Sequence, residues 1–137
     1  MKQNNFSSRR KGLMTMVLLV MIGSTLTACG SASSPADAVT GYLEALAEND
    51  QSAAVASSCA AWEEQALAEG ASFINVKVSL DNLSCQVVDD TETQATVTCS
   101  GKYQFSYDAG EDQELDLSGR LFSVIKENGE WRMCGYQ

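Results

Sequence analysis

Histidine is absent from the sequence. Its absence removes the commonest general base and the commonest metal ligand together. No Cys-x-x-Cys pair occurs either, so a structural zinc site lacks its usual ligand spacing. Basic residues are few and unevenly placed. Four of the nine Lys and Arg lie before Cys29, where none of the 18 acidic residues is found. From residue 29 onward Lys77, Lys102, Arg120, Lys126 and Arg132 stand against those 18, a net charge of −13. That balance disfavours nucleic acid, which needs a basic face for phosphate contacts. It also disfavours direct attraction to anionic lipid, while keeping an exported domain dispersed. No apolar run is long enough for a comfortable membrane span. Leu13 to Leu26 would extend about 21 Å as a helix at ~1.5 Å per residue, short of the ~30 Å hydrocarbon core.

That run does have a context. It follows Arg9, Arg10 and Lys11 and closes on Leu26-Thr27-Ala28-Cys29. A basic region, an apolar core and small residues before a cleavage point make a secretory signal. Leu-Thr-Ala-Cys resembles the lipobox of bacterial lipoproteins. The resemblance implies diacylglycerol on the Cys29 sulfur, cleavage between Ala28 and Cys29, and acylation of the new amino terminus. The competing reading is an ordinary signal with a chance cysteine. Each buried acyl methylene contributes roughly 0.8 kcal/mol and one chain attaches only reversibly, so two or three chains on one residue make the anchor persistent. Gly30 to Ser34 reads as a short flexible tether. The expected organisation is a signal over 1–28, lipidated cysteine and tether over 29–34, and one domain over 35–137. The partner implied is a cell membrane, reached through lipid on Cys29 at its extracytoplasmic face.

About 100 residues suffice for one core. Ser34-Pro35-Ala36-Asp37 is a helix start, with a capping Ser, Pro at the first position and early negative charge. Val39, Tyr42, Leu43 and Leu46 follow as an apolar stripe. Asn49-Asp50 ends this helix and caps a second, expected from Asp50 to Glu69, with Val55, Cys59, Trp62 and Ala66 along one face and Gly70 as its stop. Period-two patterns then take over. Ile74, Val76, Val78 and Leu80 share a face, and Leu83, Cys85 and Val87 continue in shifted phase, implying a bulge or break at Asp81-Asn82. After a turn at Asp89 to Glu92, the residues Ala95, Val97, Cys99, Tyr103, Phe105 and Tyr107 alternate, with Gly101 allowing a bend. Leu115, Leu117, Leu121, Ser123 and Ile125 form one further run, with Phe122 and Val124 opposite. Asn128-Gly129 is a hairpin turn into the final strand from Trp131. The fold class expected is α+β: two N-terminal helices packed on a curved antiparallel sheet of about four strands.

With Cys29 committed to lipid, Cys59, Cys85, Cys99 and Cys134 remain, an even number suited to two disulfides in an oxidising compartment. A hairpin turn near Glu92 sets Cys85 opposite Cys99, within bridging reach. Cys59 is then left for Cys134.

The helical opening, Pro35 through Asp50 with an alanine-rich helix after it, resembles NTF2-like (cystatin-like cone) lipoproteins. So does the ending Asn128-Gly129-Glu130-Trp131-Arg132-Met133-Cys134, and exported proteins of the DUF4878 type are the most similar. The resemblance implies a bent sheet wrapped around helices, often with a pocket in its mouth. Such a fold hosts enzymes, binding modules and scaffolds alike. Enzymes of the group that resemble ketosteroid isomerase or scytalone dehydratase use Asp, His or Tyr inside the cone; this chain shows no such constellation. No catalytic, cofactor-binding or metal residue is assigned. Trp62, Tyr103, Tyr107 and Trp131 are candidates for a cone pocket, with simple core packing as the plainer reading. The acidic loop Asp108 to Asp116 lacks the order of an EF-hand and reads as a solvated hairpin end; millimolar Ca²⁺ should leave the melting temperature unchanged. The function expected is a non-catalytic module that binds a small apolar ligand or an envelope protein. A structural or regulatory interaction module and a cone-fold enzyme are the alternatives.

Overall fold

The computed structural model describes residues 32, 34–108 and 110–137. The signal, Cys29 and most of the tether lie outside the described residues. Three helices precede five strands: α1 (Pro35–Ala47), α2 (Gln51–Ala56), α3 (Glu63–Ser72), β1 (Lys77–Asp90), β2 (Gln94–Ser106), β3 (Gln113–Asp116), β4 (Leu121–Glu127) and β5 (Glu130–Tyr136). The strands form one antiparallel sheet in the order β1-β2-β4-β5, with β3 paired to β2. No helix among the described residues is long and apolar enough to cross a membrane.

α1 begins as its sequence dictates. The Ser34 hydroxyl accepts the Asp37 amide at 3.2 Å and donates to the Asp37 carboxylate at 2.8 Å. One of the four orphan amides at the helix start is thereby satisfied locally. The helix ends where Asn49 turns left-handed (φ 57°), and Asp50 caps α2 by accepting the Ala53 amide at 2.9 Å.

The second long helix does not exist as one piece. It is broken between Ala56 and Glu63 because the last strand claims its backbone. Met133 donates its amide to the Ser57 carbonyl at 2.9 Å and accepts the Cys59 amide at 2.8 Å. Ser58 is buried there, its hydroxyl donating to the Ala54 carbonyl at 2.8 Å. The Cys59–Cys134 disulfide fastens the same junction. Helical periodicity through Cys59 and Trp62 is overridden by this tertiary pairing, and Gly70 lies inside α3 instead of stopping it.

β1 starts at Lys77, so Ile74 and Val76 fall in the preceding turn, with Ile74 exposed and Asn75 left-handed. The expected irregularity at Asp81-Asn82 is a bulge in a continuous strand, and a second one lies between Val87 and Asp89. Opposite the first bulge sits Gly101 at φ +113°. A Cβ there would stand 2.7 Å from the Asp81 carbonyl oxygen and 2.9 Å from that of Asn82. Only glycine fits, and the bulge bends the strand pair. Cys85 faces Cys99 in register, as does Val87 face Val97, and the Cys85–Cys99 disulfide closes that rung with Cα atoms 4.1 Å apart.

One edge of β2 serves two partners. Its first half pairs with β4 and its second half with β3. The run from Leu115 to Ile125 is accordingly two strands, separated by a turn at Leu117 to Arg120. That turn changes the phase: Leu117, Phe122 and Val124 are buried, while Leu121 and Ser123 face solvent. The sheet therefore has five strands instead of about four. Between β4 and β5, Asn128 and Gly129 both take positive φ, the geometry of a tight hairpin turn. The helices cover one face of the sheet, and Val39, Tyr42, Leu43, Leu46, Val97, Tyr103, Phe122, Val124 and Met133 meet in one core.

Candidate functional site

The core is not completely filled. Where α1, α3 and the sheet diverge, a cavity of about 160 Å³ remains. Its floor is apolar and fully buried: Tyr42, Leu43, Leu46, Tyr103, Leu117 and Phe122. Phe73 lies edge-on to Tyr103 with ring centroids 5.5 Å apart. The rim is polar and partly exposed, formed by Glu69, Ser72, Arg120 and Tyr136. Hollows of about 270 and 300 Å³ elsewhere contain no aromatic side chain.

The elements explain this arrangement. Tyr42 belongs to the α1 stripe that buries against the sheet. Ala66 is fully buried on α3, and Glu69 follows it one turn later on the same side. The turn after β3 carries Arg120 over the ring of Tyr136, with the guanidinium carbon 5.0 Å from the ring centroid. Glu69 is the hub. One carboxylate oxygen accepts the Tyr42 hydroxyl at 2.6 Å, and the other accepts the Tyr136 hydroxyl at 2.9 Å. The Trp62 indole donates to the Tyr42 hydroxyl at 3.3 Å. Tyr103 donates instead to the Leu43 carbonyl at 2.7 Å.

Of the four aromatic candidates, the structure brings two to this place. Tyr103 forms part of the floor. Trp62 supports the wall from behind, edge-on to Tyr136 at 5.8 Å. Tyr107 is exposed beyond the end of β2, and Trp131 lies under the Lys126 ammonium on β5; neither lines the cavity. Tyr42, Glu69, Arg120 and Tyr136 were not singled out by sequence. Glu69 alone left a signal there, since Trp62, Ala66 and Glu69 fall on one helical stripe where a carboxylate is out of place. In the acidic loop, Glu114 pairs with Lys102 at 2.7 Å and Asp116 accepts the Ser118 amide at 2.7 Å.

Burial, followed by the hydrogen bond to Glu69, pushes the Tyr42 hydroxyl far above the usual phenol range. Tyr136 is raised for the same two reasons, and Tyr103 by burial and then the Glu69 charge. A phenol with a raised folded pKa stabilises the fold fully below the unfolded value of about 10, and that stability is lost as pH rises beyond it. Stability measured by denaturant titration should therefore be flat toward neutral pH and fall steeply above about pH 10. A profile unchanged up to pH 12 would contradict the buried tyrosine network. Tyr103→Phe should lower stability by about 1 kcal/mol, since it removes one hydrogen bond while the helical carbonyl keeps its other partner. Thermal melts check this, with a fall of roughly 5 °C expected for a domain of this size.

No family model matches the sequence, and no curated protein matches it. Among solved structures, a SEC-C motif containing protein from Rhodopseudomonas palustris is similar at 17% identity, covering 79% of this chain and 80% of its own, with a TM-score of 0.56. A scytalone dehydratase-like protein from Novosphingobium aromaticivorans is similar at 16% identity over 70% and 74% of the two chains, with a TM-score of 0.48. The first of these establishes a shared fold and nothing about activity.

Proposed function

We propose that the chain is a membrane-anchored extracytoplasmic lipoprotein whose NTF2-like, DUF4878-type domain binds a small apolar ligand without transforming it. The observation that carries the binding reading is the cavity itself, an aromatic and aliphatic floor beneath a polar rim of four side chains. Concave apolar sites with a small number of placed polar groups are how proteins hold small molecules. The volume suits a compact ligand, well below drug size. Two features favour binding over chemistry. A general base must reach a proton on its substrate, yet both oxygens of Glu69 are engaged by tyrosine hydroxyls. The tyrosines themselves are held neutral by burial.

The anchor rests on Leu26-Thr27-Ala28-Cys29. Lipid there would hold the cavity close to a bilayer and leave the acidic domain facing water. Native mass spectrometry of the protein from the host envelope tests the binding reading. A stoichiometric small molecule released at higher collision energy is the expected result. A ligand-free protein recovered only with a protein partner would replace this reading by the interaction-module one.

A further inference from the structure

Among the side chains that line the cavity, every hydroxyl donor is already committed. Tyr42 and Tyr136 donate to Glu69, Tyr103 donates to the Leu43 carbonyl, and Ser72 donates to the Ala68 carbonyl at 3.1 Å. The donors with capacity to spare at the rim are the N–H groups of Arg120, one of which is used on the Tyr136 hydroxyl. A guanidinium carries five such donors in a planar fork suited to a carboxylate. Its charge rests on the Tyr136 ring, with no carboxylate in direct ion-pair contact among the described residues. All 18 acidic residues are among the described residues, and the ion pairs formed there are Lys102–Glu114 and Arg132–Glu130. In a domain with so large an acidic excess, a half-buried arginine without a carboxylate partner is conspicuous. Glu69 reaches it only through the Tyr136 hydroxyl, which both side chains engage, and its negative charge is shared with the Tyr42 hydroxyl as well.

We propose, building on the binding reading above, that the ligand is a small monocarboxylic acid anion with an apolar body, its carboxylate held by Arg120 at the rim. At roughly 30 Å³ for each water-sized group, the cavity of about 160 Å³ takes a body of about five carbon atoms. The body lies on Tyr103, Leu117 and Phe122, and the charged end stays at the partly exposed rim, so the anion is not fully desolvated. An amine of the same length meets the reverse situation: a cation beside Arg120, with Glu69 already satisfied.

The test uses the full chain in nanodiscs of zwitterionic lipid, titrated with hexanoate, 1-hexanol and hexylammonium. Partition into empty nanodiscs is subtracted. The readout is the NMR signal of the Trp62 indole N–H, which donates to the Tyr42 hydroxyl at the cavity wall. Hexanoate should shift this signal saturably and bind about tenfold or more tighter than the alcohol, the factor expected from one charge-assisted contact. Arg120→Gln should bring the acid-to-alcohol ratio to about one. Equal binding of acid and alcohol, preference for the ammonium, or an unaltered ratio in Arg120→Gln would overturn the carboxylate assignment while leaving the cavity a binding site. Failure of all three probes to bind would overturn both.

Discussion

The double variant Cys59→Ser, Cys134→Ser is expected to melt roughly 20 °C or more below the oxidised protein. Its disulfide spans 75 residues, whereas Cys85–Cys99 spans 14. Loop-closure entropy gives about 4.5 kcal/mol for the longer link and about 3 kcal/mol for the shorter. In a domain of about 100 residues each kcal/mol moves the melting point by ~4–8 °C. The position of the long link adds to its effect. It fixes the junction where Ser57 and Cys59 exchange backbone hydrogen bonds with Met133, and Trp62, which supports the cavity wall, follows three residues later. Without it, the segment between α2 and α3 is free to resume helical structure and withdraw from β5. The Cys85→Ser, Cys99→Ser variant should lose less, since eleven paired positions already hold β1 to β2. Thermal melts of the two double variants decide the matter; equal losses, or the reverse order, would refute it.

Gly101→Ala is expected to cost about 3 kcal/mol, a large effect for one methyl group. Two separate penalties combine. The backbone at φ +113° disfavours any L side chain, and the added Cβ meets the Asp81 carbonyl oxygen at 2.7 Å. That oxygen belongs to the backbone of a bulge, so no rotamer change relieves the clash. Gly129→Ala provides the comparison. Its φ is +85° with nothing within 4 Å of the new Cβ, so it carries the conformational penalty alone, about 1 kcal/mol. Denaturant midpoints for the pair separate steric from conformational cost. Similar losses at both sites would mean that β1 and β2 are not so closely apposed at the bulge.

The features legible in the sequence are those set by local chemistry. The Ser34-Pro35 start, the Asn49-Asp50 junction, the Asn128-Gly129 turn and the Cys85 to Cys99 register each depend on residues close in the chain. What was illegible depends on distant partners. The break in the second helix requires Met133, and nothing between residues 51 and 69 announces it. The division of the Leu115 to Ile125 run arises because the second half of β2 has room for β3 and its first half for β4. The aromatic candidates fared similarly. Tyr103 alternates into the core, but Tyr107 lies beyond the strand that would have turned it inward, and Trp131 stands away from the cavity. Glu69, Arg120 and Tyr136 come from a helix, a turn and the last strand, so their meeting is a property of topology.

The membrane localisation proposed for this domain rests on lipid at Cys29. The most direct measurement is mass spectrometry of the amino-terminal peptide of the protein extracted from host membranes. The expected peptide begins at Cys29 and carries the added mass of a diacylglycerol and an amino-terminal acyl chain. A peptide that begins at Met1, or one that contains Cys29 as a free thiol, would contradict it.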